Sequence, residues 1–314
     1  MLFRSLARSF STPQARALFG GTAAHSLSPL TQPMSSAIGA ALIVAGHHNG
    51  WPVARGGSRA ITDALAAVII ACGGTIETGR RVSALGELPP ADAVILDLAP
   101  SGVVDLARDR LPARVRRAYE RYRHGPAAFK VDLAVEGGVP WTNERVRQAG
   151  TVHAIGSFEE LVIAERDINH GRMPERPFVL VGQQYLADPT RSAGDVHPVW
   201  AYAHAPSGYT GDATDALIGQ IERFAPGLRE RILATAIRSA TEFTQYNANY
   251  IGGDIVTGAN TVRQIVARPR LTLKPYGTGI PGVFICSAAT PPGAGVHGSN
   301  GSNAAQAALE HLAA

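Results

Sequence analysis

The segment TPPGAGVHGSNGSNAAQAAL, close to the C-terminal end, constrains the chain more than any other stretch. Gly293, Gly295 and Gly298 match GxGxxG between GVFICSAAT, whose apolar run predicts a strand, and SNAAQAALEHL, whose spacing predicts a helix. Glycine lets backbone approach a ligand closely, and a helix N-terminus offers unpaired N–H groups and a positive dipole end. The loop is therefore expected to face an electron-rich or anionic group, a glycine-rich turn without a ligand being the bland alternative. The complete dinucleotide fingerprint also needs a following strand and an acidic residue about 20 positions on to hold a ribose. The sequence stops at Ala314, so the motif does not read as the opening β-α-β unit of a Rossmann fold.

The rest of the chain reads as mixed α and β. DALAAVIIAC predicts a helix, capped by Ser58 or Thr62 and stopped by Gly73 and Gly74, with apolar residues on more than one face, so it is expected to be buried. TIET and RRVSAL predict short strands, and ADAVILDLA a central strand ending near Pro100. Leu106 to Tyr122 has helical spacing. FKVDLAVEG, PFVLVGQQYL and HPVWAYAHA read as strands, the last with Trp200, Tyr202 and His204 on one half-exposed face of an antiparallel sheet. SFEELVIAERDIN predicts a helix opened by a Ser157–Glu160 capping box, and Thr214 to Phe243 a helix pair. The middle thus looks antiparallel, while the flanks look like parts of an α/β layer.

Composition narrows the chemistry. The 314 residues are 45% hydrophobic and 17% charged, which suits a globular enzyme rather than a disordered chain. Cys72 and Cys286 lie far apart and form no CxxC pair, so neither a zinc site nor a redox dithiol is expected. His47 and His48, read as a loop beside Trp51 and Pro52, have no ligand spacing with His297, and no metal is expected. The arginine run from Arg108 to Arg123 is interrupted by Asp109 and Glu120 and reads as a solvated helix face rather than a nucleic-acid grip. GxSxG is absent, and Ser287 has no base near it in sequence, which leaves a hydrolase without support. No apolar run approaches the length of a membrane span. Lys130 and Lys274 are the only lysines against many arginines, a bias that points to a GC-rich bacterial gene and a cytoplasmic protein. The basic, acid-free opening with Arg4, Arg8 and Arg16 is the pattern of a mitochondrial leader, kept as the lesser alternative.

Taken together, GVFICSAATPPGAGVHGSNGSNAAQAAL, GWPVARGGSRAITDALAAVIIACGGTIETGRRV, QARALFGGTAAHS, GPAAFKVDLAV and YNANYIGGDI resemble the phytoene desaturase and phytoene dehydrogenase-like branch of FAD-dependent oxidoreductases. They also resemble the pyridine nucleotide-disulphide oxidoreductase domain-containing proteins. The resemblance covers nearly the whole chain from about Ala7, which is why the leader reading is set second. It implies that Gly56 and Gly57 border the cofactor and that Val82 meets the adenine through its backbone. It further implies that Ser287, Pro292, Gly293, Gly295, Val296, His297, Gly298 and Asn300 lie against the flavin. No catalytic residue is assigned.

The family opens on a strand and GxGxxG that hold the FAD diphosphate, and no such unit precedes Gly20. The chain is therefore expected to be N-terminally truncated and its FAD site incomplete. The implied fold is α/β (α+β), an incomplete FAD/NAD(P)-binding Rossmann-like layer with an inserted substrate domain of antiparallel sheet and helices. Its expected divisions are residues 1–49, a helical part of the substrate domain; 50–100, the first part of the FAD layer; 101–244, the substrate domain; and 245–314, the C-terminal part of the layer. The implied activity is hydride removal from a carbon centre of a small apolar or lipid-like substrate to flavin, with peripheral membrane contact fitting such a substrate and no nucleic-acid partner. The alternative is a non-catalytic scaffold that retains no flavin.

Overall fold

Strict alternation builds the longest strand, β2 (Ala127–Glu136): Ala127, Phe129, Val131, Leu133 and Val135 are buried while Asp132 and Glu136 face out. A computed structural model, which describes Ala7, residues 9–32 and residues 35–314, places β2 beside β5 (Val196–Ala205) in an antiparallel ladder running from Ala127 opposite Ala205 to Glu136 opposite Val196. With β3 (Thr151–Ala154), β4 (Val179–Gly182) and β6 (Ile232–Arg238) they form a five-stranded sheet in the order β3-β4-β5-β2-β6.

Both faces of the sheet carry helices. Leu217, Ile218 and Ile221 of α7 (Thr214–Glu222) pack on the buried side chains of β2 and on Val199, Ala201 and Ala203 of β5. Across the sheet, α1 (Pro13–Ala24) and α6 (Phe158–Asn169) cover the face of β5 that was expected to be half exposed. Trp200 and Tyr202 pack there beside Phe19, Leu161 and Phe178, and His204 is fully buried. Gly20 and Gly21 sit within α1 because the neighbouring helix and strand come so close. A Cβ would meet Leu161 at 2.8 Å from Gly20 and the His153 ring at 2.8 Å from Gly21. The expected capping box at the head of α6 is present, Glu160 N–H donating to Ser157 Oγ and Ser157 N–H to the Glu160 carboxylate.

The flanks of the chain meet in a second, parallel pair, in which β1 (Val94–Leu96) lies against β7 (Val283–Ile285). Around it pack α4 (Pro100–Ala107), α5 (Ala113–Glu120) and α10 (Ser299–Leu312), with Val103, Leu111, Tyr119 and Ile285 at its core. The expected single helical stretch to Tyr122 divides at Pro112, where proline lacks the N–H that would continue the first helix.

Four expectations are corrected. Residues 75–83 form no strand, having no ladder partner among the described residues. β1 is one of only two strands in its sheet rather than a central strand. The second half of the expected helix pair contains β6, whose ILATAIR sequence pairs with the edge of β2 and leaves its side chains largely exposed, before α8 (Ala240–Tyr246) begins. The helix α3 (Arg59–Ala71) is the largest departure: it has no buried residue, and Leu65, Val68 and Ile70 are about as exposed as surface residues. Apolar content fixed it as a helix, but burial also needs a partner surface, and none of the described elements supplies one. Consequently Leu65→Gln with Val68→Gln is expected to change stability by less than about 0.5 kcal/mol and to reduce self-association by light scattering. A loss above about 1.5 kcal/mol would show that this face is covered within the isolated chain.

Candidate functional site

The expected site begins where β7 ends. Ser287 follows that strand and is buried. Its Oγ accepts the Ala289 N–H, and its carbonyl accepts both the N–H and the hydroxyl of Thr290. Asn300, in the first turn of α10, reaches back with its amide to the carbonyls of Ser287, Thr290 and Pro291 at 2.9–3.3 Å. The helix start and the strand end are thus tied into one closed loop.

A second brace comes from Arg268, which is buried among neutral acceptors. Its Nε donates to the Gln264 carbonyl at 3.0 Å, Nη2 to Asn260 Oδ1 at 2.9 Å and Nη1 to the Ala288 carbonyl at 3.3 Å. Gly293 has φ +109°, and a Cβ on it would lie 2.8 Å from Arg268 Nη1, so glycine is required there by both backbone and space. Tyr276 completes the support with a hydrogen bond to the Pro291 carbonyl at 2.7 Å.

Braced from behind, the loop turns its other side to solvent. Pro292, Gly295, Val296, His297 and Gly298 are exposed, Val296 almost completely. Gly298 is the N-cap of α10 in the left-handed region, φ +66°, with open space where a Cβ would be. His297 Nδ1 accepts the Ser299 N–H at 3.0 Å, while the N–H groups of Asn300 and Gly301 have no acceptor among the described residues. These are the orphan donors of a helix start, and they can serve an electron-rich ligand edge.

The other sequence-derived positions lie elsewhere. Val82 is half-buried against the core of the parallel layer, as coil rather than strand. Gly56 and Gly57 adopt positive φ ahead of α3, but their N–H groups are already used: Gly56 donates to Asp188 Oδ2 at 2.7 Å and Gly57 to the Ala54 carbonyl. The Thr190 hydroxyl, that Gly56 N–H and Arg191 hold the Asp188 carboxyl down to about 2, so it is an acceptor throughout the neutral range. The glycine doublet is thereby anchored to the β-rich part, and no hydrogen bond joins it to the 287–300 loop among the described residues. His47 and His48 lie in the last turn of α2 (Ser35–Asn49) rather than in a loop. Among the described residues no group of His, Cys, Asp or Glu is placed to hold a metal. Cys286 is no nucleophile, since burial and then the neighbouring Asp97 push its thiol up to about 11.

The chain is 24% identical, over 307 residues, to pyridine nucleotide-disulfide oxidoreductase domain-containing protein 2 of Rattus norvegicus and to the protein of the same name in Mus musculus, with 85% of this chain aligned to 52% of each. It spans about half the length of those curated relatives. No family profile matches. Its backbone superposes on the crystal structure of an oxidoreductase from Methanosarcina mazei with a TM-score of 0.58 at 14% identity, covering 98% of this chain and 67% of that one. This chain shares that oxidoreductase's fold. It is a mixed α/β, Rossmann-like architecture in which a parallel pair and an antiparallel sheet stand side by side.

In open α/β layers ligands gather at the carboxyl ends of parallel strands, and Asn249, which sequence reasoning passed over, lies there. Asn249 accepts the Ala99 N–H at 2.8 Å and donates to the Asp97 carbonyl at 3.0 Å, fixing the exit of β1 beside that of β7. Asp254, fully buried, accepts N–H groups from Gly125, Val256 and Gly258 at 2.7–2.9 Å. Both belong to YNANYIGGDI, a segment whose spacing carries no period and whose polar residues therefore gave no signal of burial. The 287–300 loop offers an open backbone face and orphan donors, which are what the edge of a flavin ring would need. At the glycine doublet the backbone donors are spoken for, and a cradle for a diphosphate is not found among the described residues.

Proposed function

We propose that the chain carries part of a flavin-dependent oxidoreductase, with the exposed side of residues 292–300 as the surface on which the isoalloxazine ring rests. The observation that carries this reading is a loop braced from behind by Asn300 and Arg268, yet open in front at a left-handed Gly298 and at the unpaired first-turn N–H groups of α10. A positive helix end placed there stabilises negative charge on a reduced ring. Bound FAD supplies hydride acceptance from a carbon centre, which accounts for the lack of a nucleophilic triad. Similarity to oxidoreductases in sequence and in fold supports the class. In this reading residues 50–100 and 245–314 form the cofactor layer, and residues 1–49 and 101–244 the substrate part. The substrate expected from the resemblance is apolar. A cavity beside Asn260 has a wall that mixes neutral polar and apolar groups, and the proposed substrate is accordingly small and uncharged.

The test is a titration of the purified chain with FAD, followed by flavin fluorescence, on the parent and on Gly298→Val. A β-branched residue strains φ +66° by about 1–2 kcal/mol and intrudes on the open face. The variant is expected to stay folded and to bind at least about tenfold more weakly, a loss of 1.4 kcal/mol or more. Equal binding by both chains, or none by the parent at millimolar FAD, removes the loop from the cofactor site and leaves the scaffold alternative.

A further inference from the structure

A cavity of about 250 Å³ opens where the loop after α1, the C-terminal end of α6, the entry to β2 and residues 259–261 converge. At ~30 Å³ per water, it has room for about eight waters or a small molecule of similar size. Ser28, Gln32, His124, Asn169, Asn260 and Thr261 supply most of its polar lining, with Leu27, Pro126 and Ile168 between them. Among the described residues, no lysine, arginine, aspartate or glutamate lines the wall. A carboxylate or phosphate entering it would find only one ionisable partner, His124, and an ammonium no carboxylate, so each would lose hydration without recovering it.

His124 is the group in this wall whose bonding is unfinished. Its Nδ1 is buried without a hydrogen-bond partner, 3.5 Å from Asp254 Oδ2, too far for a good bond. Asp254 cannot move to meet it, because both its oxygens are held by backbone N–H groups. The imidazole is therefore oriented by packing against Tyr122 and lies beside a fixed carboxylate. The cavity also adjoins the flavin-binding loop through one side chain. Asn260 lines the cavity and accepts from Arg268, which donates in turn to Ala288.

We propose that this cavity is the substrate pocket, taking a small uncharged molecule that bears hydroxyl or amide groups, and that His124 is the residue that hydrogen-bonds it. The assignment as substrate pocket rests on the oxidoreductase reading. Binding in the cavity does not.

The test uses three compounds with one ring and different charge: cyclohexanecarboxamide, cyclohexylamine and cyclohexanecarboxylate. Each is titrated into the parent chain at pH 7.5 without flavin, and the imidazole C–H resonances and backbone amides are followed by NMR. The amide is expected to shift His124, Gly125 and Asn260 with saturation in the millimolar range, and the charged pair to leave them in place. His124→Gln is expected to weaken the amide at least fivefold. Gln32→Trp, at a half-buried position in the lining, should block it by filling the cavity. Charged compounds that bind as well as the amide, no compound shifting His124, or amide binding unaffected by both variants each overturn the proposal. Gly298→Val separates the two readings, since it should lose FAD and keep the amide. Failure of FAD binding with retained amide binding rejects the cofactor surface alone.

Discussion

Asp254→Ala is expected to lower the free energy of unfolding by about 3–5 kcal/mol, the largest loss from any single replacement outside the apolar cores. The carboxylate is fully buried and accepts from Gly125, Val256 and Gly258, three donors on two separate segments. Removing it leaves two buried N–H groups and one partly buried one without acceptors, each buried one worth about 1–3 kcal/mol when stranded. Asp254→Asn keeps the shape but turns an NH₂ toward at least one of those donors, so a smaller loss of about 1–3 kcal/mol is expected. Urea unfolding followed by circular dichroism ranks the three chains. An alanine variant within 1 kcal/mol of the parent would show that water replaces the carboxylate and that this junction is not structural. The ranking bears on function as well, because Asp254 fixes the carboxylate beside His124 and residues 258–260 beside Arg268.

Much of the antiparallel sheet was legible because period-two alternation leaves a mark wherever one face is dry. In FKVDLAV and VWAYAHA that mark located β2 and β5, and SFEE marked the head of α6, since a capping box needs only four local residues. The strand, glycine loop and helix at the C-terminal end were legible for the same reason. Failures came where the deciding partner is remote. DALAAVIIAC reads as buried by its own composition, yet α3 meets no described partner. ILATAIR reads as helical, yet the edge of β2 recruits it as a strand. The glycines of GGTAAHS carry no sequence sign that they are interior to α1, where Leu161 and His153 press on them from more than a hundred residues away. At the site, the glycines announced the open face of the loop. Arg268 and Asn249, which brace the residues after β7 and β1, and Asp254, which ties Gly125 to residues 256–258, were silent because a buried polar residue in an aperiodic segment looks like a solvated one.

The same remoteness hides a group of titratable side chains between α1, α6 and the sheet, whose behaviour in acid gives the other large expected effect. His25 Nε2 and His153 Nε2 lie 3.0 Å apart, so a single proton is held between them and a second would set two N–H groups against each other on a cationic ring. His204 and Glu165, both fully buried and joined at 2.7 Å, close the group from the strand β5 and the helix α6, with Phe178 packed among the rings. Burial first, then His153 and His204, bring His25 from 6.5 down to about 3, and burial followed by His204 brings His153 down to about 4. The unfolded chain takes up two protons near pH 6.5 that the folded chain refuses until about pH 4. Stability is therefore complete above pH 6.5 and is lost as the pH falls through that window. Between pH 7.5 and pH 5 each histidine should forfeit about 2 kcal/mol, or about 4 kcal/mol for the pair, enough to bring a marginal domain close to unfolding. Thermal melts at half-unit steps of pH should show the midpoint falling steeply below pH 6.5, and His25→Phe should remove about half of that slope. A midpoint independent of pH from 7.5 to 5 would mean that the ring pair opens to water, and that α1 is not held against the sheet by the close approach its glycines permit.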